Sequence, residues 1–404
     1  MTSWHLAHGY RYTGLQCGVR ADPSRSDLAL IVSDVPASAA GVFTRNRVRA
    51  APVRLCQERL PAEDVRGVVV CSGNANACTG QRGLDDARRM AEVAAEALGC
   101  RERQLLVCST GVIGRHLPMP QVEAGIRQAV PRLGPAAENL SAAAHAILTT
   151  DTRIKVATRE VDVGGQAVRL SGLAKGAAMI GPNMATMLAF VLSDAAVRPA
   201  DLHTLAARAA ERTFNCVSVE GHTSTNDTLL LLANGAARLA EGGRRQYLEG
   251  DGLARFAVAV NAVCGELAQA IAADAEGASH LVTIEVEGLR DDHEAFRVAK
   301  TVADSPLVKT AICGADPNWG RVVSAAGYAG VEFEEEQLSL WLGDMPLYHA
   351  GAPVPFDPAA AAAYLRRERH VQLRLRFTLG PGRCTFWTCD LTTEYVRLNA
   401  DYTT

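Results

Sequence analysis

A layered α/β fold in two lobes is predicted, on three observations. Short apolar runs such as Gly67-Val-Val-Val-Cys71, Gln104-Leu-Leu-Val-Cys108 and Leu229-Leu-Leu-Leu232 are too short for globular helices and too apolar for surface strands, so they read as strands buried on both faces. Between them lie longer stretches with a helical period. The chain has 404 residues, enough for a large core and for two or three domains or lobes.

Composition narrows the classes of function. The net charge is −3 with both signs mixed along the chain, which gives no basic footprint for nucleic acid and points to a small-molecule partner. No uninterrupted apolar run approaches ~18 residues, and the opening Met1-Thr-Ser-Trp-His lacks the charged and apolar regions of a signal peptide, so a cytoplasmic protein without membrane association is expected. The eleven cysteines are odd in number, scattered and without a Cys-x-x-Cys pair. They read as reduced core thiols, with a catalytic cysteine as the alternative.

The elements follow in order. Asp27 to Ser33, Ala40 to Thr44 and Val53-Arg-Leu-Cys56 read as short strands of a sheet-rich layer. The strand Gly67 to Cys71 runs into Ser72-Gly-Asn-Ala-Asn-Ala-Cys-Thr-Gly80, whose two Asn suit either a ligand site at a strand end or a plain turn. From Asp86 the period becomes helical, with Met90, Val93, Ala94, Ala97 and Leu98 on one face and Gly99 as a stop. The strand ending at Cys108 leads into a turn, Ser109-Thr-Gly-Val-Ile-Gly114, in which the Thr110 hydroxyl and the unobstructed N–H of Gly111 would suit an oxyanion hole; the alternative is an ordinary strand-to-helix turn. Gln121 to Val130 and Ala136 to Leu148 read as helices. Lys155 to Val161 and Ala167 to Leu170 read as a hairpin through Gly164-Gly165. Pro199 opens a helix carrying Leu202, Leu205, Ala206 and Ala209, and Asp251 to Ala273 is a long helix with an apolar stripe. It ends at Asp274-Ala-Glu-Gly277, where Glu276 is either a carboxylate for proton transfer or a capping residue. Leu281 to Val286, Val331 to Leu342 and Val371 to Phe377 alternate as strands, and Pro358 to Arg367 is helical.

The centre of the chain is Lys175-Gly-Ala-Ala-Met-Ile-Gly-Pro-Asn-Met-Ala-Thr186, followed by the apolar run Met187 to Leu192. The run reads as a strand buried on both faces with Thr186 at its mouth. Small residues leave the Ala185–Thr186 peptide room to distort, so the Thr186 hydroxyl could attack its own upstream carbonyl. Hydrolysis of the resulting ester would leave Thr186 as a new amino terminus, whose α-amine, titrating near ~7.7–8, could take the hydroxyl proton. The plain alternative is a threonine that begins a strand. Lys175, in its Gly/Ala surroundings, is either a point charge for a carboxylate or a solvated lysine.

In combination these segments resemble the ornithine acetyltransferase (glutamate N-acetyltransferase, ArgJ) family. The resemblance rests on Gly73-Asn-Ala-Asn76, Ser109-Thr-Gly-Val-Ile-Gly114, Thr149-Thr-Asp-Thr152, Lys175-Gly with Asn183-Met-Ala-Thr-Met-Leu188, Thr223-Ser-Thr-Asn-Asp-Thr228, Asp274-Ala-Glu-Gly277, Asp316-Pro-Asn-Trp-Gly-Arg321 and Tyr395-Val-Arg-Leu-Asn399. It implies a self-cleaving, N-terminal-nucleophile-type α/β fold of the DmpA/ArgJ kind. It further implies cleavage at Ala185–Thr186 into an α chain (1–185) and a β chain (186–404) that stay associated as an α2β2 heterotetramer. By motif position Thr186 would be the nucleophile, Thr110 and Gly111 the oxyanion hole, Glu276 an acid–base or amine-binding group, and Thr149, Lys175, Thr186, Glu276, Asn399 and Thr404 the substrate contacts. The implied reaction is ping-pong acetyl transfer from N2-acetyl-L-ornithine to L-glutamate in arginine biosynthesis, with no cofactor or metal and with acetyl-CoA as a further donor to be considered. Two departures stand out: Ala177 and Ala178 where a second Gly or Ser is usual, and His222 at a commonly acidic position. Alternatives are a related acetyltransferase of secondary metabolism, a self-cleaving amidohydrolase or aminopeptidase, and a binding protein that is never cleaved.

Overall fold

The computed structural model describes residues 4–181, 187–238 and 246–401. The first lobe opens with β1 (Tyr10–Leu15), β2 (Leu28–Phe43), α1 (Ala51–Arg59), β3 (Ala62–Asn74), α2 (Gly80–Leu98) and β4 (Leu105–Val112). It continues through α3 (Met119–Ala129), α4 (Ala137–Ala146), β5 (Lys155–Asp162), β6 (Ala167–Lys175) and β7 (Leu188–Ser193). It closes with α5 (Pro199–Arg212), β8 (Thr228–Ala233) and α6 (Gly250–Ala272). Its eight strands form one sheet in the order β4-β3-β2-β8-β7-β6-β5, with β1 paired to β2.

The two central strands show why their sequence is continuously apolar. Leu188, Phe190 and Leu192 of β7, with Leu230 and Leu232 of β8, pack towards α4, whereas Ala189, Val191, Leu229 and Leu231 pack towards α5 and α6. Both faces are covered, so alternation would leave polar groups in a core. By length and composition α6 could cross a membrane. Its stripe of Phe256, Val260, Val263, Cys264, Leu267 and Ile271 is instead buried with the sheet, which accounts for that composition.

The second lobe comprises β9 (Leu281–Leu289), α7 (Asp292–Asp304), α8 (Pro306–Cys313), α9 (Trp319–Gly327), β10 (Ser339–Leu342), β11 (Met345–His349) and β12 (Ala352–Pro353). It ends with α10 (Pro358–Arg367), β13 (His370–Arg376), β14 (Gly382–Cys389) and α11 (Thr393–Asp401). Its sheet runs β12-β11-β10-β13-β9-β14, with helices on one side. The lobes are joined where Val217 bridges to Trp387 and Ser218 N donates to Trp387 O at 3.1 Å.

Four sequence-based expectations are corrected. Val53 to Cys56 lies in the helix α1, because Pro52 sets the first helical turn and four residues cannot separate a period of 2 from one of 3.6. The separate strands at 27–33 and 40–44 are one strand, β2, whose ladder with β3 shifts register around Pro36, a residue with no N–H to donate. Residues 331–338 are not a strand: Val331 and Phe333 fold onto the second core, with Phe333 edge-on to Phe377 at 5.0 Å, while the glutamates between face solvent. β4 continues to Val112, so Thr110 and Gly111 stand in a strand end rather than a turn. Neither α7 nor β14 has a sequence-predicted counterpart.

All eleven cysteines are free, and Cys71 and Cys108 are buried within strands. A side-chain contact with Cys56, together with burial, raises the Cys108 thiol well above its ordinary range.

Candidate active site

Parallel strands β3 and β4 finish together, with Ser72 opposite Thr110 and Gly73 opposite Gly111. Gly111 has φ +130, and a Cβ there would stand 2.3 Å from the Gly73 carbonyl carbon, so only glycine permits this approach. Asn226 ties the edge together: its buried amide donates to Ala75 O at 2.6 Å and Ser109 O at 2.8 Å. The Asn pair of the first polar loop is occupied structurally. Asn74 donates to the carbonyls of Arg115 and His116, and Asn76 holds Gly83 O and the Thr79 hydroxyl at the start of α2, so the turn reading applies to both. Among the described residues nothing hydrogen-bonds to the Thr110 hydroxyl.

A second wall is built on buried charge. Lys175 ends β6 at 2 % exposure, with its Nζ 3.9 Å from Asp151 Oδ2. Burial pushes the Lys175 ammonium below its ordinary range, against the attraction of Asp151. Asp151 collects four donors: Thr149 N at 3.0 Å, Gly176 N at 2.6 Å, Lys155 Nζ at 2.7 Å and, more weakly, the Thr149 hydroxyl at 3.5 Å. Burial alone would raise its carboxyl, but Lys175 and Lys155 hold it well below the usual carboxylate range. Arg25 fixes Thr149 from the other side by donating to its carbonyl at 2.5 Å. Beyond Lys175 the chain is strained, with Met179 in the left-handed region at φ +57.

Asp227 stands at the base of β8, fully buried. Its Oδ1 accepts the N–H of Met187 at 3.1 Å, and among the described residues no hydrogen bond of normal geometry reaches its Oδ2. Burial raises its carboxyl well above the ordinary range, opposed in part by Lys175. The sequence reading assigned no role to Asp151, Lys155 or Asp227. Each lies inside a polar motif that the sequence did single out or at its border, but a carboxylate within a run of hydroxyls carries no mark of burial.

The third wall comes from beyond α6. Glu276 N donates to Ala177 O at 2.9 Å, and Glu276 Oε2 accepts from Asn399 Nδ2 at 3.1 Å. This carboxylate is not a helix cap; it lines the cleft. Gly277, at φ +66, lets α11 pass so closely that a Cβ would meet Tyr395 N at 2.5 Å, and this contact delivers Asn399.

The three walls enclose a cleft of about 90 Å³ lined by Thr110, Gly111, Thr149, Lys175, Glu276 and Asn399, with Thr225 and Asn226 at the β8 side. Six of the residues named from the sequence are thus brought together. Ala185, Thr186 and Thr404 lie outside the described residues. Among the described residues no group of His, Cys, Asp or Glu is placed to hold a metal ion.

A hydroxyl, a glycine N–H, an ammonium and a carboxylate converging at the strand ends of a layered, two-lobed α/β protein define a site of enzyme type for small charged molecules. Residues 11–404 match the ArgJ family, and the chain belongs to that family. It is similar to the arginine biosynthesis bifunctional protein ArgJ of Thermosynechococcus vestitus, at 45% identity over 98% of this chain and 97% of that one. The protein of the same name from Symbiobacterium thermophilum is 48% identical, over 94% of this chain and 93% of its own. A crystal structure of the Bacillus halodurans protein of that name superposes with a TM-score of 0.50 at 39% identity, covering 53% of this chain and 98% of that one.

Proposed function

We propose that this chain is a glutamate N-acetyltransferase of arginine biosynthesis that moves an acetyl group from N2-acetyl-L-ornithine to L-glutamate through an ester on Thr186, after self-cleavage at Ala185–Thr186. The observation that carries this is the convergence of Thr110, Gly111, Lys175 and Glu276 on one cleft in a member of the ArgJ family.

The freed α-amine of Thr186 takes the proton of its own hydroxyl, and the oxygen attacks the acetyl carbonyl of the donor. Negative charge develops on the carbonyl oxygen and is received by the Thr110 hydroxyl and the Gly111 N–H, donors already in place before reaction. The tetrahedral intermediate collapses, the C–N bond breaks, and the ornithine amine leaves with the proton. Glutamate reverses the sequence: its amine attacks the ester carbonyl, the Thr186 oxygen leaves and regains a proton, and an amide is restored. Lys175 holds a substrate carboxylate as a point charge; Glu276, oriented by Asn399, receives an ammonium or assists the proton. Thr149 and Thr404 complete the substrate contacts. An α chain (1–185) and a β chain (186–404) remain together, as an α2β2 assembly in the cytoplasm. Acetyl-CoA as an additional donor is favoured by the word bifunctional in the relatives' names.

Intact mass of the purified protein, incubated with N2-acetyl-L-ornithine, tests the proposal. Two fragments divided at residue 186, the second heavier by one acetyl group, are expected, and Thr186→Ala should leave one chain. Ornithine release that ignores added glutamate would make the protein a hydrolase; a wild-type chain that stays whole and takes up no acetyl group would make it a binder.

A further inference from the structure

Lys155 is a fully buried ammonium with no part in the reaction above. Its Nζ donates to Asp151 Oδ1 at 2.7 Å and to Asp274 Oδ2 at 2.6 Å, with Arg153 O farther off at 3.4 Å. Asp274 is itself held by the backbone N–H of Thr152 at 3.1 Å and by the Thr152 hydroxyl. The Asp151 carboxylate therefore has Lys155 in direct contact on one oxygen. Lys175 stands at 3.9 Å from the other oxygen, beyond hydrogen-bond distance. Two aspartates and two lysines sum to zero, with the half-exposed Arg153 at the rim 3.8 Å from Asp274, but the pairing is uneven: Lys155 hydrogen-bonds both carboxylates and Lys175 hydrogen-bonds neither. Two further groups bear on Lys175 through their fields, Asp227 and Arg20, of opposite sign. Among the described residues the ammonium that lines the cleft is thus the one whose ion pair, at 3.9 Å, carries no hydrogen bond.

We infer that Lys155 is a positioning residue for substrate binding: by engaging Asp151 and Asp274 it holds the Asp151 carboxylate off Lys175, which leaves Lys175 open to the carboxylate of an amino-acid substrate. The inference rests on the proposed role of Lys175. It also spans the proposed cut, because Asp151 and Lys155 precede residue 186 and Asp274 follows it. Without Lys155, Asp151 has Lys175 as its counter-ion and closes the place that substrate would take.

The test uses two variants of the full chain. Asp274→Asn keeps the size of the side chain and leaves the whole charge of Lys155 to Asp151, so KM for N2-acetyl-L-ornithine should stay the same or fall. The double variant Lys155→Met with Asp274→Asn removes one charge of each sign, which spares the interior an unpaired ion. In it KM should rise about tenfold, the factor set by roughly one charge interaction, with kcat within about twofold of wild type. Calorimetric binding of ornithine, which needs no turnover, should follow the same order. An unchanged KM in the double variant, or an equal rise in both variants, overturns the inference. Should the double variant fail to fold, Asp274→Asn decides alone, since a raised KM there contradicts it. A wild-type protein that binds ornithine but transfers no acetyl group would refute the proposed reaction while the Kd order still judges Lys155.

Discussion

Lys175 and Leu188 stand opposite one another in the antiparallel ladder between β6 and β7, with the Ala185–Thr186 bond in the chain between them. The bond proposed for cleavage therefore lies in the connection between two neighbouring strands of one sheet, and β7 is further enclosed by its parallel pairing with β8. The lobes divide elsewhere, between α6 and β9, so the halves made by cleavage are not the lobes made by folding.

The two fragments are expected to co-elute under native conditions and to separate only in denaturant, because parting them exposes the α4-facing side of β7 and strips β6 and β2 from the edges of the β7–β8 pair. Phe190, at the centre of that ladder and fully buried, measures the effect. Phe190→Ala should cost about 3–5 kcal/mol, read as a lowered urea midpoint with unchanged slope.

Thr110→Val keeps the β-branched shape of a strand residue and removes one hydroxyl. It should lower kcat by about 10²–10³ with little change in donor KM, since an oxyanion donor acts on the transition state. Gly111→Ala places a Cβ against the Gly73 carbonyl carbon at 2.3 Å and should be more damaging than any loss of a single donor. Rapid-quench measurement of acetyl-enzyme formation separates the two.

Lys175→Met should reduce kcat/KM for N2-acetyl-L-ornithine by roughly two to three orders of magnitude, as it leaves a desolvated carboxylate unpaired. Lys175→Arg should not rescue it. A planar guanidinium does not reproduce the compact point charge of the ammonium that ends β6 at 2 % exposure.

Glu220 makes stability depend on pH. Burial pushes its carboxyl up to about 7, with Glu276 adding to the rise and the N–H of Ile180, 2.6 Å from Oε1, and the charge of Lys309 opposing it. A carboxyl raised above its unfolded value of ~4.3 keeps its proton in the native state where the unfolded chain has lost it, so the stability this group contributes is greatest at low pH and declines as pH rises through about 7. Asp227 acts in the same sense. Glu220→Gln should flatten the fall in Tm between pH 5 and pH 8, and a slope equal to wild type would remove Glu220 from this account.

The sequence alone determined the layered α/β class, because strands covered on both faces must be apolar throughout, as β7 and β8 are. It located helices such as α2 and α6 by their period and α10 by its alanines, and the resemblance of its ordered motifs to one family pointed to Thr110, Gly111, Thr149, Lys175, Glu276 and Asn399. Short windows defeated it at Val53 to Cys56, where four residues hold barely one helical period and so cannot separate it from a strand's alternation. The alternation at 331–338 also misled, since a loop folded onto a core repeats the pattern of a strand. What only the tertiary structure decided is which charges meet: Lys155 finds Asp274 across 119 positions, and Asn399 finds Glu276 across 123. Such pairs follow from the arrangement of strand ends and from burial, which strengthens electrostatic contact by excluding water, and no local window contains either partner's surroundings.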